Sequence, residues 1–208
     1  MNTPKITKEN AEGFYSMELE TFALKNGEIW IEGELTSEKV DSILAALHSL
    51  EYRKMKSIQR DTVTIFINSQ GGDLIAGLNL YDALIHSNLK VRTVITGMGC
   101  SAASIIFLAG QERYMMPYSQ VHLHEPLRGG AKADTIQELG HVYKDLLHYK
   151  KIIVDIVSER TSLLHDAVEE MIDNKERFFF ADEAVKTGIA TGILHTLTED
   201  KDEGTLKE

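Results

Sequence analysis

The segment that most limits the possible folds of this chain is residues 97–110, which read G-M-G-C-S-A-A-S-I-I-F-L-A-G. It follows residues 91–96, a short run rich in β-branched side chains that predicts a buried strand. After Ser101 the residues are first small and then apolar, as at the start of a helix that enters a core. The segment therefore predicts a tight strand-to-helix turn that carries a serine.

Ser101 has the surroundings of a catalytic nucleophile. At such a turn the hydroxyl is pushed outward, and the first amides of the helix lie beside it with the positive end of the helix dipole. Lipases and esterases present their nucleophile in the same way. Small residues at Gly99, Cys100, Ala102 and Ala103 leave room for a substrate carbonyl to approach. A second interpretation is a small-residue helix start packed under a sheet, and this stretch alone favours that interpretation.

Strand-like and helix-like segments alternate along the rest of the chain. Alternating or β-branched runs predict strands at residues 28–33, 62–67, 91–96, 113–116, 120–124 and 193–197. Helical spacing predicts helices after Thr36, after residue 73 with Leu74, Leu78, Tyr81 and Ile85 on one face, at about 134–159, at about 163–173, and before Gly188. Residues 1–22 lack periodicity, and the charged residues 51–61 are expected to form a solvated connection. This order predicts an α/β fold with mostly parallel strands.

Two other segments carry residues suited to acyl transfer. In residues 120–124, His122 and His124 share one face of the predicted strand, and His124 ends it. Gly71 and Gly72 follow another strand, where glycine tolerates an unusual backbone conformation and clears space for a substrate. Acyl transfer needs a hydroxyl, a base that takes its proton and N–H donors for the oxyanion. Each feature alone also has an ordinary interpretation, as a structural histidine or a plain strand-to-helix turn.

Together with their flanks, these residues resemble the proteolytic subunit of the Clp protease, within the wider superfamily that includes crotonases. Four segments carry the resemblance in order: residues 67–72 (I-N-S-Q-G-G, like I-N-S-P-G-G), 97–110 (like G-x-A-A-S-M-G-A-F-L-L-A-A-G, without a gap), 117–126 (P-Y-S-Q-V-H-L-H-E-P, like P-N-S-R-V-M-I-H-Q-P) and 181–188 (A-D-E-A-V-K-T-G, like S-A-x-E-A-x-x-x-G). The resemblance covers roughly residues 24–197. It places the nucleophile on Ser101, since Ser104 would need a three-residue deletion, and the base on His124 and not His122.

The resemblance implies the chemistry of a serine endopeptidase. The N–H groups of Gly71 and Ala102 should donate to the oxyanion, with Gly72 in the same substrate-binding turn. Ser101 should attack a peptide carbonyl of an unfolded polypeptide, with His124 as general base and then as general acid for the leaving amine. Water should then hydrolyse the acyl-enzyme, and no metal or other cofactor is expected.

The resemblance also implies a ClpP/crotonase-like spiral of repeated β-β-α and βαβ units with a projecting long helix, the handle. The handle would span about residues 127–160, within a peptidase domain at 24–198. An N-terminal arm at 1–23 and a polar tail at 199–208 would flank this domain. Subunits of this kind stack two rings face to face around a chamber, so the expected partner of the handle is another subunit. An AAA+ unfoldase is a further partner that the resemblance implies, although the family's arginine-rich segment is not recognisable in residues 1–22.

The catalytic acid is the least determined member of the expected triad. A gap-free count back from the closing motif places the family's aspartate on Glu176, within K-E-R-F, whereas Asp173 keeps the residue type but would need an insertion. Either carboxylate could also be an ordinary solvated side chain. Two other departures concern the structure: Gln70 stands in place of the proline before Gly71, and Phe180 in place of the serine that would cap the next helix.

Composition narrows the competing functions. The net charge is −10 with no basic cluster, which argues against nucleic acid or an anionic membrane as a partner. No C-x-x-C, H-E-x-x-H or Walker motif indicates a metal or a nucleotide. The single cysteine, Cys100, excludes an intrachain disulfide and fits a reducing compartment, so we expect the protein in the cytoplasm. Two alternatives stay open: a crotonase-type acyl-CoA enzyme, which would not require the serine and histidine, and a non-catalytic ring subunit, which would be expected to lose part of the triad.

Overall fold

The computed structural model describes residues 5–10, 13–56, 61–127, 135–173 and 176–197. The strands of this part are β1 (Lys5–Asn10), β2 (Gly13–Glu18), β3 (Glu28–Leu35), β4 (Thr62–Gly72), β5 (Lys90–Cys100), β6 (Glu112–Met115), β7 (Gln120–His124), β8 (Glu176–Phe180) and β9 (Gly192–Ile193). Its helices are α1 (Leu19–Lys25), α2 (Ser37–Met55), α3 (Leu74–Ile85), α4 (Ala102–Leu108), α5 (Ile136–Arg160), α6 (His165–Ile172) and α7 (Ala181–Lys186). The alternation of strands and helices confirms the predicted α/β class.

The central sheet forks at β5. Strands β3, β4, β5, β6 and β9 run parallel in this order, and residues 92–95 of β5 pair with β6. Further along, residues 98–100 of β5 pair with residues 120–122 of β7, and β8 adds to β7 in the antiparallel direction. The end of β5, which leads into Ser101, therefore lies beside the strand that carries the two histidines.

Helix α4 is enclosed by the rest of the molecule. All of its residues are buried, and it packs against β4, β5, α3 and α5. Two arginines bind the carbonyl groups at its C-terminal end: Arg160 donates from Nε to Leu108 (2.9 Å), and both Arg160 and Arg113 donate to Gly110 (2.9 and 3.0 Å). Positive charge at this end of a helix is stabilising because the helix dipole is negative there. The helix that begins after Ser101 is thus held at its far end as well.

Helix α2 begins as the sequence predicts and ends later. The hydroxyl of Thr36 accepts a hydrogen bond from the Lys39 amide (3.3 Å), which is the N-cap interaction. Its buried side chains recur at helical spacing: Val40, Ile43, Leu47 and Leu50. The helix continues through residues 51–55, so the expected solvated connection over 51–61 is wrong for its first half. Residues 57–60 lie outside the described part of the chain.

The buried face of α3 differs from the face that the sequence predicts. Tyr81 is buried, but Leu74, Leu78 and Ile85 are only partly buried. The side that enters the core carries Ala76, Gly77, Leu80 and Leu84. A Cβ atom on Gly77 would lie 2.9 Å from the Cβ of Ala102, so small residues here allow α3 to approach α4 closely. Helix-to-helix contact, rather than the largest side chains, sets the orientation of α3.

The two ends of the described chain also depart from the sequence-based expectations. Strands β1 and β2 form an antiparallel hairpin followed by α1, where no periodicity was visible. Strand β9 is limited to residues 192–193 and is shorter than predicted. Strand β8 was not expected, because E-R-F-F-F does not alternate. The domain boundaries stay predictions, and the expected tail at 199–208 lies outside the described residues.

Helix α5 has an outward half and a buried half. It begins with a capping box, in which Thr135 and Glu138 exchange side-chain and backbone hydrogen bonds. Large apolar side chains of the first half face outward, namely Ile136 (92% exposed), Leu139 (59%), Tyr143 (62%) and Leu147 (46%). The second half packs in the core through Ile153, Val154, Ile156 and Val157. This is the predicted projecting helix, and the sequence R-G-G-A at residues 128–131, which predicts a flexible hinge before it, lies outside the described part.

No helix among the described residues, including the long α5, combines the length and the apolar character needed to cross a bilayer.

Candidate active site

Ser101 joins the end of β5 to the start of α4 in a strained backbone conformation. Its φ is 55° and its ψ is −127°, and in the described part of the chain no other non-glycine residue has a positive φ. Its N–H donates to the carbonyl of His122 (2.9 Å), and its carbonyl accepts from the N–H of Ser104 (2.9 Å). The predicted strand-to-helix turn is thus present, and hydrogen bonds hold it on both sides. Strain of this kind clusters at functional sites.

The two nearest alternative nucleophiles are buried. Ser104 is 0% exposed, and its hydroxyl donates to the carbonyl of Ser101 (2.5 Å) within the first turn of α4. Burial raises the pKa of the Cys100 thiol, which disfavours the reactive thiolate. Ser101 itself is partly exposed. Of these three residues, only Ser101 has a side chain that a substrate could reach.

The glycine turn at the end of β4 lies directly against Ser101. A Cβ atom added to Gly71 would lie 2.5 Å from the carbonyl oxygen of Cys100 and 2.8 Å from the Cβ of Ser101. Gly71 also has a φ of 89°, which side chains rarely tolerate. The close approach and the backbone conformation both require glycine at this position. The glycine turn and Ser101 are therefore brought together in the structure.

The Gly71 amide already has a partner within the chain. It donates to the hydroxyl oxygen of Ser69 (3.0 Å), and this fully buried hydroxyl donates in turn to the carbonyl of Gly33 (2.5 Å). Gly33 lies at a register shift in the pairing of β3 with β4. In this structure the Gly71 amide is therefore used for a hydrogen bond within the turn.

Gly72 is the exposed glycine of the pair, whereas Gly71 is buried. The amide after it, that of Asp73, donates to the carbonyl of Leu35 on β3 (2.9 Å). In a strand the amides of neighbouring residues point to opposite edges, so we expect the Gly72 amide to point away from β3, toward the side of β4 where β5 lies. Ser101 follows β5 on that side. Gly72 and Ala102 are therefore the two candidates for amide donors on this side of the sheet.

His122 and His124 lie on the same face of β7, as the alternation of the sequence predicts. Their ring centroids are 5.2 Å apart. The Nδ1 atom of His124 lies 2.5 Å from the backbone oxygen of Glu125, so Nδ1 carries the proton that this carbonyl accepts. The Nε2 atom of His124 then keeps its lone pair, which is the form that a general base needs.

The two candidate acids lie in different surroundings. Glu176 is directly opposite His124 in the antiparallel pairing of β7 with β8, so their side chains project from the same face. Asp173 ends α6 and accepts a hydrogen bond from Lys150 of α5 (3.1 Å). Among the described residues, neither carboxylate is hydrogen-bonded to His124, whose partner is the Glu125 carbonyl. The structure brings Glu176, and not Asp173, to the strand position facing the histidine.

A cavity of about 290 Å³ lies between α5 and the segment that follows His124 in the chain. Its lining comes from the segment after β7 and from α5: Glu125, Pro126, Leu127, Tyr143, Leu146, Leu147 and Lys150. Most of these side chains are apolar, and the Lys150 ammonium forms ion pairs with Asp173 (3.1 Å) and Glu169 (3.8 Å). The cavity is therefore mainly apolar, with its one cation paired to carboxylates.

Sequence reasoning missed three features of this site. Ser69 looks like an ordinary strand residue, and only its position two residues before Gly71 could have suggested a turn contact. His122 was dismissed as a base, yet its ring stacks face to face on Phe178 of β8, with centroids 4.1 Å apart. This contact depends on β8, which the sequence did not predict. The cavity likewise depends on how α5 folds back along the chain.

These parts together define a class of protein. An α/β fold that presents a serine at an amide-lined turn, beside a histidine and a glycine turn, has the parts of a serine hydrolase that works through an acyl-enzyme. Residues 10–196 match the model of the Clp protease family. The chain belongs to this family.

Curated relatives of the same family match this chain over nearly its full length. The chain is 28% identical to the ATP-dependent Clp protease proteolytic subunit 2 of Chlamydia abortus, over 98% of this chain and 97% of that protein. It is also 28% identical to the ATP-dependent Clp protease proteolytic subunit of Ligilactobacillus salivarius, over 92% of this chain and 94% of the relative.

Solved structures give the same result. A point mutant of ClpP1 from Listeria monocytogenes matches with a TM-score of 0.75 and 26% identity, over 86% of this chain and 97% of that one. The expected family and fold are therefore confirmed. The protein is a serine endopeptidase of the ATP-dependent Clp type, and the crotonase-type acyl-CoA alternative is not favoured.

Proposed function

We propose that Ser101 is the nucleophile of this endopeptidase. The observation that carries the proposal is its positive φ at the start of α4, held by the His122 carbonyl on one side and by Ser104 on the other. This conformation directs the hydroxyl out of the turn and next to the first amides of the helix. Ser101 attacks a peptide carbonyl, and its proton passes to Nε2 of His124.

Ala102 and Gly72 are the preferred donors to the oxyanion. The Ala102 amide belongs to the first turn of α4, where backbone N–H groups lack helical partners. Gly72 is exposed and directs its amide toward the same side, while the Gly71 amide donates to Ser69. Gly71 then shapes the turn, and it becomes a donor itself only if the contact with Ser69 opens. The charge that develops on the substrate oxygen is stabilised by these fixed amides.

His124 and Glu176 complete the proposed triad. The His124 ring takes the proton of Ser101 and returns it to the leaving amine, after which water hydrolyses the acyl-enzyme. Glu176 faces His124 across β7 and β8, and another rotamer of its long side chain could bring the carboxylate to Nδ1 in place of the Glu125 carbonyl. The carboxylate would then stabilise the imidazolium, which a neutral carbonyl does less well. Asp173 serves instead as the partner of Lys150.

A fluorophosphonate probe that labels active-site serines tests the nucleophile. We expect the assembled wild-type protein to be labelled and the Ser101→Ala variant to lose both labelling and peptide hydrolysis while keeping its assembly. Ser104→Ala is the matched control, and we expect it to keep labelling because its hydroxyl is buried. Full labelling of Ser101→Ala would refute the assignment.

We also propose that the chain assembles into stacked rings that enclose the site, and that it acts on unfolded polypeptides with the help of an AAA+ unfoldase. The outward half of α5 supports assembly, since Leu139 and Tyr143 leave a large apolar surface uncovered by this chain. The single Cys100 supports the cytoplasm as the compartment.

Native mass spectrometry tests the assembly. Wild type should form large oligomers, and the double substitution Leu139→Lys with Tyr143→Lys should shift the mass toward smaller species, because charge on both residues opposes burial of this face. A wild-type chain that stays monomeric at micromolar concentration would contradict the proposal. Degradation of a folded substrate with and without an unfoldase tests the dependence on that partner.

A further inference from the structure

His122 occupies a position beside the proposed triad that the proposed function does not use. Its backbone carbonyl accepts the hydrogen bond from Ser101, and its ring lies on the face of β7 that also carries His124. The ring stacks almost parallel on Phe178, with centroids 4.1 Å apart and an angle of 4° between the planes. The centroid of the His124 ring is 5.2 Å away.

The His122 ring is poorly matched to a purely structural role. Its Nε2 atom is buried and has no hydrogen-bond partner among the described residues. A buried unpaired nitrogen is destabilising, and such groups are uncommon in folded proteins. An apolar side chain of similar size could stack on Phe178 without this penalty. The imidazole is therefore explained better by its ability to bind a proton.

Three titratable groups of the described residues face His122 from the strands packed against it. His124 lies on β7 itself, Glu176 lies on β8 one diagonal step away, and Cys100 of β5 is its register partner. Burial raises the pKa of Cys100, so this thiol is neutral at pH 7. Burial and the neighbouring His124 lower the pKa of His122, and the charge of Glu176 only partly opposes them.

Building on the proposed function, we propose that His122 is a positioning residue. Its protonation state determines whether the Glu176 carboxylate pairs with His124 or with His122. As a neutral ring it has no charge to attract the carboxylate, which remains free to stabilise His124. As an imidazolium it competes for that carboxylate across the diagonal of the strand pair, a distance that long side chains can span.

The protonated ring opposes catalysis in a second way. During acylation His124 takes the proton of Ser101 and becomes an imidazolium itself. Next to a neutral His122 this charge is tolerated, but next to a charged one two cations would face each other, with ring centroids 5.2 Å apart. Acid inactivation of the enzyme therefore involves two protons, one on His124 and one on His122.

The dependence of kcat/KM on pH tests this proposal in the assembled full-length protein with a fluorogenic peptide. The acid limb of wild type should be steeper than one proton allows, with a logarithmic slope that approaches about 2. In His122→Phe, which keeps the stacking on Phe178 but cannot titrate, the slope should fall to about 1, and the alkaline plateau should fall no more than about threefold. His122→Met gives the same comparison with a flexible side chain in case the phenyl ring packs poorly.

His48→Phe is the matched control. His48 is exposed on α2, so its substitution should give the same slope as wild type. A slope of about 1 on the acid limb of wild type would overturn the proposal, and so would a slope of about 2 in both His122 variants. Loss of the plateau in both variants without a change of slope would assign His122 a structural role only. These outcomes are separate from failure of the proposed nucleophile, which would appear as retained labelling of Ser101→Ala.

Discussion

Ser101 and His124 follow neighbouring strands, yet their surroundings differ in burial and in hydrogen bonding. On the nucleophile side, the turn at Gly71 and all of α4 are buried, and internal hydrogen bonds fix their main chain. On the base side, His124 is partly exposed, and Glu176 is exposed on β8. The adjoining cavity is lined by α5, whose first half is uncovered.

This difference indicates which part of the site depends on the assembly. The core of one chain determines the conformation of Ser101, so we expect the proposed nucleophile and the amides around it to be formed before any partner binds. The proposed base and acid lie on β7 and β8, and the nearby helix α5 presents apolar side chains that a neighbouring subunit could cover, such as Tyr143 (62% exposed). We expect the effects of substitutions on the nucleophile side to arise within one subunit. We expect the effects of substitutions on the base side to depend on the assembly state and on pH.

The largest effect is expected from Gly71→Ala, on the buried side. The added Cβ would lie 2.8 Å from the Cβ of Ser101 and would also strain a backbone with φ of 89°. Displacement of the turn should lower kcat/KM on the order of 100- to 1,000-fold, the range for loss of an oxyanion donor. Steady-state peptide hydrolysis measures the loss.

Ser49→Ala, at an exposed position within α2, is the control for a single alanine substitution outside the site and outside the proposed assembly surface of α5. It should keep wild-type activity and gain at most about 0.7 kcal/mol of stability because alanine favours the helix. Wild-type activity in Gly71→Ala would mean that the buried side is less rigid than its packing indicates.

A somewhat smaller effect is expected from Glu176→Gln, on the exposed side. The amide cannot supply the negative charge that stabilises the imidazolium of His124, so kcat should fall on the order of a hundredfold while the fold is kept. Asp173→Asn should change kcat only a few-fold at most, through its contact with Lys150. Activity near wild type in Glu176→Gln, together with an inactive Asp173→Asn, would move the acid to Asp173.

The smallest effect concerns stability against acid. The pKa of His122 lies below its unfolded value of 6.5, mainly because of burial. Just below pH 6.5 the unfolded chain therefore binds a proton at this residue more readily than the folded chain does. The free energy of unfolding should therefore fall as the pH drops from 6.5 toward the folded pKa. The loss should stay well under about 1.4 kcal/mol per pH unit, since the ring is partly exposed.

Urea unfolding at fixed protein concentration, near neutral pH and about one unit lower, measures this loss. In His122→Phe the difference between the two conditions should shrink. A difference that is the same in wild type and variant would show that other groups cause the acid sensitivity.

The sequence predicted the nucleophile side of the site better than the base side. The small residues around Ser101 and the alternation of residues 120–124 are local patterns, and the structure has the turn and the shared histidine face that they predict. The direction of the Gly71 amide depends on its contact with Ser69 and on a register shift between β3 and β4. No local sequence pattern predicts either feature. The position of Glu176 depends on the antiparallel pairing of β8, and its unalternating E-R-F-F-F gave no strand signal.

The pairing of residues 98–100 with residues 120–122 also has a consequence for how the length of such a chain can change. The spacing between Ser101 and His124 is set by this register and not by the number of residues that connect the two strands. Extra residues at the turn around Tyr118, which is 99% exposed, would leave the spacing intact. One extra residue within residues 120–122 would move His124 to the opposite face of β7, and one within residues 98–100 would shift Ser101 by one position relative to β7. Natural length variation should therefore collect at this turn and be absent from the two paired segments.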